Sequence, residues 1–569
     1  MQSFAVEDFT GGLNLRADVF NLARNESPDL LNVDIDPRGG VFQRRGTLAY
    51  NSSAVGGLTP ASWSAQRLFS WNRSTGTPQV LLAAANKVYY SNSGSFTDTT
   101  IVSSTSDFGA QFASWTDGAA DKVYVACGCS SGSHSWNGTT KTSLTASGTG
   151  AWQNDLLSPT TGYMPSARHV VAHNEMLWVA WTSEDAQMYP DRVRFSHPLF
   201  PESWRENDFI DIVQGGRGIT AIVPYGGHLV IFKEHAVFAL YGYSAETFQV
   251  VDITRELGAP TPQAVTVNES GVYFFDGVNG LFRYNGRTVE YMFDNLKPLL
   301  DLNEYNTAAL TQIRLSAVGT KVYLSLPAGE STSPETYTMT GVSYRDSGTL
   351  YIGSGTTYEA AGFTYDDTDL KFDGQVRSVL PAVTYVWDAT VGKRGAWSRY
   401  KLADGFGLGH GIQFVDNDNN LRELFVHPAK PFVVFFDANA YTDQLDSQSA
   451  SFQSFYTTSW QDAGRADARK FWRRPSFVLN RTLDGYELDV SVFRDWDGLD
   501  VDRQFELVSE AYSGGGSGAT WVAGYGSDIS KGNALGLGRS VQLRVAGRGG
   551  YYWGLNGVTF QYNPRGVKP

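Results

Sequence analysis

One kind of unit recurs along this chain: a short apolar or aromatic strand, a turn built on Gly, Asn or Asp, and a second strand. It reads as "VLLAAANKVYYSNSGSF" with a turn at Asn86, "VVAHNEMLWVAW" around Asn174, "VPYGGHLVIFKEHAVFALYG" with turns at Gly226–Gly227 and Lys233–Glu234, and "GVYFFDGVNGLFRYNG" with turns at Asp276–Gly277 and Asn285–Gly286. "DKVYVACG", "VGTKVYLSLPAG" and "TYVWDATVGKRGAWSRY" continue the series. A repeat limits the fold more than any single motif, because each unit buries its apolar faces only against its neighbours. Taking Val88, Val123, Leu177, Leu229, Val272, Val322 and Tyr385 as equivalent points gives intervals averaging about 50 residues, the length of a four-stranded propeller blade. Leu229 and Ile231 point one way and Val230 and Phe232 the other, and all four are apolar. A strand buried on both faces belongs to sheets stacked on sheets. The expected fold is all-β, a β-propeller of six to eight blades over residues 59–437. Tandem sandwiches of about 100 residues each are the competing arrangement.

The flanks differ from this pattern. Residues 1–58 read as an N-terminal arm and hairpin. Beyond Asp437 the chain turns polar and then alternates cleanly, with Leu488, Val490 and Val492 against Asp489, Ser491 and Phe493. With "RSVQLRVAG" and "YYWGLNGVTFQYNPRG" this predicts a C-terminal β-sandwich over residues 438–569. The aromatic share of 14% and the 60 glycines fit many strands and many turns.

A formal charge of −13 gives the general surface no attraction for nucleic acid. The one dense basic segment, "GRADARKFWRRP" (Gly464–Pro475), reads as a solvated or interface stretch. Cys127 and Cys129 have no second pair with which to hold a metal, so they read as free thiols at a strand end. The start "MQSFAVEDFT" lacks the basic and apolar regions of a secretory signal, and no run of about 18 apolar residues predicts a membrane span.

No constellation in the sequence carries chemistry. His169 and His173 read as exposed turn histidines. There is no His-Glu-x-x-His and no phosphate loop. The clusters "DIDPRGG", "DNDNN" and "DWDGLDVD" miss the ligand spacing of a calcium loop and read as hairpin tips or strand edges. The Arg, Tyr and carboxylate cluster of a propeller sialidase cannot be assembled from spacing, and the Asp-box turn of such enzymes is absent. The expectation is therefore a chain that is not an enzyme, with no catalytic, cofactor or metal residues. Gly329–Thr357, rich in Ser, Thr and Gly, reads equally as a gate loop or a surface loop.

The opening stretch "GGLNLRADVFNLARNESPDLLNVDIDPRGGVFQRRG" reads as a strap. Ser27 as an N-cap before Pro28 predicts one helical turn over Asp29–Leu31. A strand over Asn32–Asp36 then turns at "DPRGG" and returns through "VFQRRG" as a hairpin. Arg38, Arg44 and Arg45 suit carboxylate or subunit contacts, and Arg473 and Arg474 in the basic segment are further assembly candidates.

This opening, the stretches His173–Ile212 and Arg217–Gly242, and the closing Gly538–Gly566 together resemble bacteriophage tail proteins of the nozzle, tail-tubular and minor-tail type. The resemblance implies a virion structural protein, made in the bacterial host cytoplasm and placed in the tail. It implies a homo-oligomer, a hexameric ring, with the portal or adaptor ring and other tail proteins such as fibres or spikes as partners. Phage DNA would pass through the lumen without sequence-specific binding, and the host envelope would be met transiently. A long-tailed phage's tip protein, and a receptor-binding or glycan-degrading propeller, are the alternative readings.

Overall fold

The computed structural model describes all residues except 19, 104–108, 117–120, 145–151, 153–161, 303, 328–342, 347–348, 353–356, 361–362, 367–379, 447, 481–485, 499, 510–526 and 565–569. Among them the chain is almost wholly β, and the longest α-helix is the single turn Pro298–Asp301. Seven four-stranded antiparallel sheets follow one another along the sequence. They begin with Ala65–Trp71, Gln111–Thr116, Ser166–His173, Ala221–Tyr225, Val265–Asn268, Arg314–Val318 and Gly411–Val415. Each of these first strands lies against the first strand of the next sheet, and Gly411–Val415 lies against Ala65–Trp71.

The turns form where the sequence places them. Asn86, Asn174 and Glu175 adopt positive φ, the geometry that makes a two-residue hairpin follow the strand twist. His228–Phe232, the second strand of the fourth sheet, is buried throughout. Leu229 and Ile231 pack into one core with Met176 and Trp178 of the third sheet, while Val230 and Phe232 pack into another with Val272 and Phe274 of the fifth. A strand of this kind has no polar face because both of its faces meet another sheet.

Two of the seven equivalent points are corrected. Val88 lies on the third strand of its sheet, whereas Val123, Leu177, Leu229, Val272 and Val322 lie on second strands. Tyr385 shares the sixth sheet with Val322: Lys321–Pro327 pairs directly with Pro381–Asp388 although residues 328–380 intervene. The recurring Lys-Val-Tyr triplet is thus a good strand start but not a marker of position within a sheet. Of that intervening segment the structure describes two hairpins, Ser343–Asp346 with Thr349–Ile352 and Thr357–Ala360 with Phe363–Asp366. The rest of Gly329–Thr357, read as a gate loop or a surface loop, lies outside the described residues.

The seventh sheet takes its fourth strand, Thr47–Ala49, from ahead of the first sheet, paired with Val433–Phe436. The beginning of the chain is also built into its end. Gln2–Val6 pairs with Gly554–Pro564, Val41–Gln43 joins the same strand, and Leu30–Leu31 pairs with Ser454–Thr457. Two sheets result, one of eight strands and one of five. They share a core of Trp472, Phe477 and Phe560 from the first and Val490, Leu543 and Val545 from the second. The alternation read over Leu488–Phe493 holds, except that Phe493 is buried as well.

Candidate functional site: a clamped junction and two cavities

The strap is where the two parts of the chain are joined. Gly12 has φ +65, and a Cβ there would stand 2.7 Å from the carbonyl oxygen of Trp397 in the sixth sheet. Leu13 beside it is fully buried, and the Asn14 side chain accepts from the backbone N–H groups of Arg16 and Ala17 at 3.0 and 3.1 Å. The "GGLN" signature is thus a place where backbone meets backbone, the use to which glycine is best suited.

The helical turn expected over Asp29–Leu31 is absent. Glu26–Ser27 and Leu30–Leu31 are short strands, and the Ser27 hydroxyl donates to the Thr457 carbonyl at 2.7 Å. Pairing of Leu30–Leu31 with Ser454–Thr457 satisfies the backbone that a lone turn of helix would leave half unsatisfied. The hairpin after it is present, Val33–Ile35 against Val41–Gln43, closed by an Asp36 N–H donating to the Gly40 carbonyl at 2.8 Å.

Asn32, with φ +53 and 1% exposure, is a hub. Its N–H donates to the Arg399 carbonyl at 2.7 Å, its side-chain oxygen accepts from Arg44 at 2.9 Å and from the Lys401 N–H at 2.8 Å, and its amide donates to Gln453 at 2.7 Å. Asp29 accepts from Arg399 of the sixth sheet and from Arg544 of the five-stranded sheet. Asp34 pairs with Lys321 and Tyr400. Burial would raise the Asp34 carboxyl, but Lys321 and Tyr400 hold it below the ordinary range.

The five arginines singled out in the sequence separate into two groups. Arg44 is buried and spent within the chain, on Asp443, Asn32 and the Lys401 carbonyl, so it is not a surface contact. Arg45 is half-buried with its guanidinium 4.1 Å from the Tyr552 ring, which stacks on Tyr441. Arg38 is exposed and folds back on Asp36. Arg473 and Arg474 are exposed, Arg473 against Asn563. In the same segment Lys470 is buried, its ammonium donating to backbone carbonyls including Ala468 and Arg539, both at 2.9 Å. Spacing gave no sign of Asp29, Asn32, Asp443, Arg399 or Arg544 as a group, because up to 515 residues separate the partners.

Two cavities stand apart from the junction. The first, about 240 Å³, is bounded by strands of the first five sheets and lined by Arg67, Gln111, Ser114, His169 and apolar residues. His169 and His173 are not turn residues: both lie on Ser166–His173, and His169 is buried with Nε2 3.2 Å from the Ile219 carbonyl. Burial, with Arg168 and Arg67 nearby, pushes His169 down to about 3. Its neutral ring therefore donates through Nε2–H. The second, about 630 Å³, is an open cleft lined by Glu256, Asp294, Asp301, Asn279, Tyr291 and Lys297, among others. Asp294 there pairs with Arg16 of the strap. Burial, with Asp294 and Asp301 nearby, raises the Tyr291 hydroxyl. Among the described residues no group of three or more His, Cys, Asp or Glu is placed to hold a metal ion.

No family model and no curated protein matches the chain. Similar solved structures include YCF48 bound to a D1 peptide (TM-score 0.36, 9% identity, 72% of this chain and 99% of that one). Another is the computationally designed Ika8 protein (TM-score 0.31, 10% identity, 68% and 98%). A third is a glycoside hydrolase family 43 arabinoxylan arabinofuranohydrolase from Bacillus subtilis (TM-score 0.22, 10% identity, 95% and 96%). With TM-scores below 0.5, these likenesses assign no activity to the chain. The expectation that the chain is not an enzyme is corrected: glycoside hydrolases stand among the similar structures.

Proposed function

We propose that this chain is a structural subunit of a bacteriophage tail, part of the channel wall through which the genome passes, and that its seven sheets close into a seven-bladed propeller. One observation carries the reading. The opening and closing stretches that bear the resemblance, drawn from opposite ends of the sequence, share one pair of sheets, and the opening stretch is tied to the sixth sheet through Asn32 and Asp34. A subunit that must hold a fixed angle in a ring benefits from such a joint, since rigid blocks repeat around a cyclic axis without slippage. Contacts between copies fall to Arg38, Arg473 and Arg474 at the surface. The test is immunogold labelling of particles released by the bacterial host that encodes the chain. Label at the tail is the expected result, and absence of the chain from purified particles overturns the reading.

A second reading rests on the carboxylate-lined cleft. Glu256, Asp294 and Asp301 beside Tyr291 and Asn279 are the kinds of side chain that bind sugars and cleave glycosidic bonds through two carboxyl groups. Incubation with host-surface polysaccharide tests it: sugar release by wild type that is lost in Glu256→Gln and Asp301→Asn supports a glycan-acting protein, and no release by wild type above a protein-free control sinks it.

A further inference from the structure

The first cavity combines features that point to a ligand. Arg67 lines it and, among the described residues, makes no ion pair; its one side-chain hydrogen bond is to the Gln111 side-chain oxygen. Arg67 is half-buried, and a partly desolvated guanidinium with no carboxylate beside it is costly to keep; its burial lowers its pKa to about 10. Gln111 is 4% exposed, and its amide nitrogen has no hydrogen-bond partner. Buried polar groups left so are rare and call for an explanation. No Asp or Glu lines the cavity. His169 lies alongside but commits Nε2–H to Ile219, so it balances no charge. Apart from Ser114 the remaining wall is apolar, with Phe69 and Phe112 stacked at 5.5 Å and Val171 and Ile222 also lining it.

From these we infer a binding site for a small organic acid whose carboxylate meets Arg67 and the Gln111 amide and whose apolar part lies against Phe69 and Phe112. The planar guanidinium fork matches a carboxylate in two parallel hydrogen bonds, and the free Gln111 N–H₂ supplies a third donor. A phosphate would find the donors but no use for the aromatic wall. The inference does not depend on the tail reading or on the cleft.

The test is titration calorimetry of the whole chain with benzoate, with its neutral isostere benzamide, and with inorganic phosphate. Benzoate binding, with benzamide at least about tenfold weaker, is expected. Arg67→Gln should abolish benzoate binding, and Arg67→Lys, which keeps the charge without the fork, should leave a weakened remnant. Near-ultraviolet circular dichroism identical to wild type establishes that each variant is folded. No benzoate binding up to about 10 mM, equal binding of benzamide, binding of phosphate alone, or benzoate binding that survives in folded Arg67→Gln each overturns the inference.

Discussion

Arg44 and Asp443, 399 positions apart, meet through two hydrogen bonds of 2.9 and 2.7 Å with both side chains buried. The same carboxylate accepts from the backbone N–H groups of Thr47 and Ala403, so one ion pair ties together the strap, the seventh sheet's closing strand and the segment after the sixth sheet. Removing either partner leaves a buried charge uncompensated. Arg44→Met or Asp443→Leu should cost about 3–5 kcal/mol, and the double variant less than the sum. Urea unfolding measures this, and a single-variant loss below about 1 kcal/mol would contradict it.

Gly12→Ala and Gly57→Ala separate two effects. The φ values are nearly equal, +65 and +68, but a Cβ at Gly12 would press on the Trp397 carbonyl while one at Gly57 meets nothing within 4 Å. Both variants bear the backbone cost of about 1–2 kcal/mol. Only Gly12→Ala should lose more, seen as a larger drop in unfolding midpoint.

The first strand should be needed by the last. Phe4 stacks on Phe560 at 5.3 Å, and Gln2–Val6 covers one side of Gly554–Pro564. A chain lacking residues 1–6 should show faster hydrogen exchange at Gly557–Tyr562 while strands of the third and fourth sheets keep their protection. Unchanged exchange at that strand would show the pairing to be dispensable.

His169 gives stability a pH dependence of known sign. Its ordinary value is 6.5 and its folded value about 3. Above 6.5 neither state binds the proton. Between those values the unfolded chain takes up a proton that the native chain refuses, so stability falls as pH falls, by up to about 1.4 kcal/mol per pH unit. Unfolding free energies from pH 7 to pH 4 should have a shallower slope in His169→Gln than in wild type, and parallel slopes would exclude the buried neutral histidine as a source.

The two cysteine thiols should be silent in the native chain. Cys127 is fully buried, and burial pushes its thiol up to about 12; Cys129 is 8% exposed and donates to the Trp181 carbonyl. The thiolate is the reactive form, so a chromogenic disulfide should titrate neither thiol at pH 8 before denaturant is added, and both afterwards.

The sequence alone determined whatever is local. Apolar strands and their turns at Asn86, Asn174 and Gly226–Gly227 follow from side-chain period and from the residues that tolerate positive φ, and each formed where it was read. Double-faced burial of Leu229–Phe232 was legible for the same reason. What lay beyond reading were relations between distant strands. Nothing in the order of residues says that Val88 sits one strand further along its sheet than Val123, that Tyr385 returns to the sheet of Val322, or that Leu30–Leu31 pairs with Ser454–Thr457 rather than coiling into a helical turn. Those outcomes depend on which backbone groups find partners after hundreds of intervening residues have packed. The candidate sites belong to this second kind. Asn32 and Asp443 look like ordinary polar residues of turns and hairpins, and Arg67 and Gln111 like strand residues, until folding removes water from around them; Arg44 is marked in sequence as suited to a carboxylate, but which one is not. Burial is what turns an arginine into a clamp or an unsatisfied donor into a site, and burial is a property of the assembled structure.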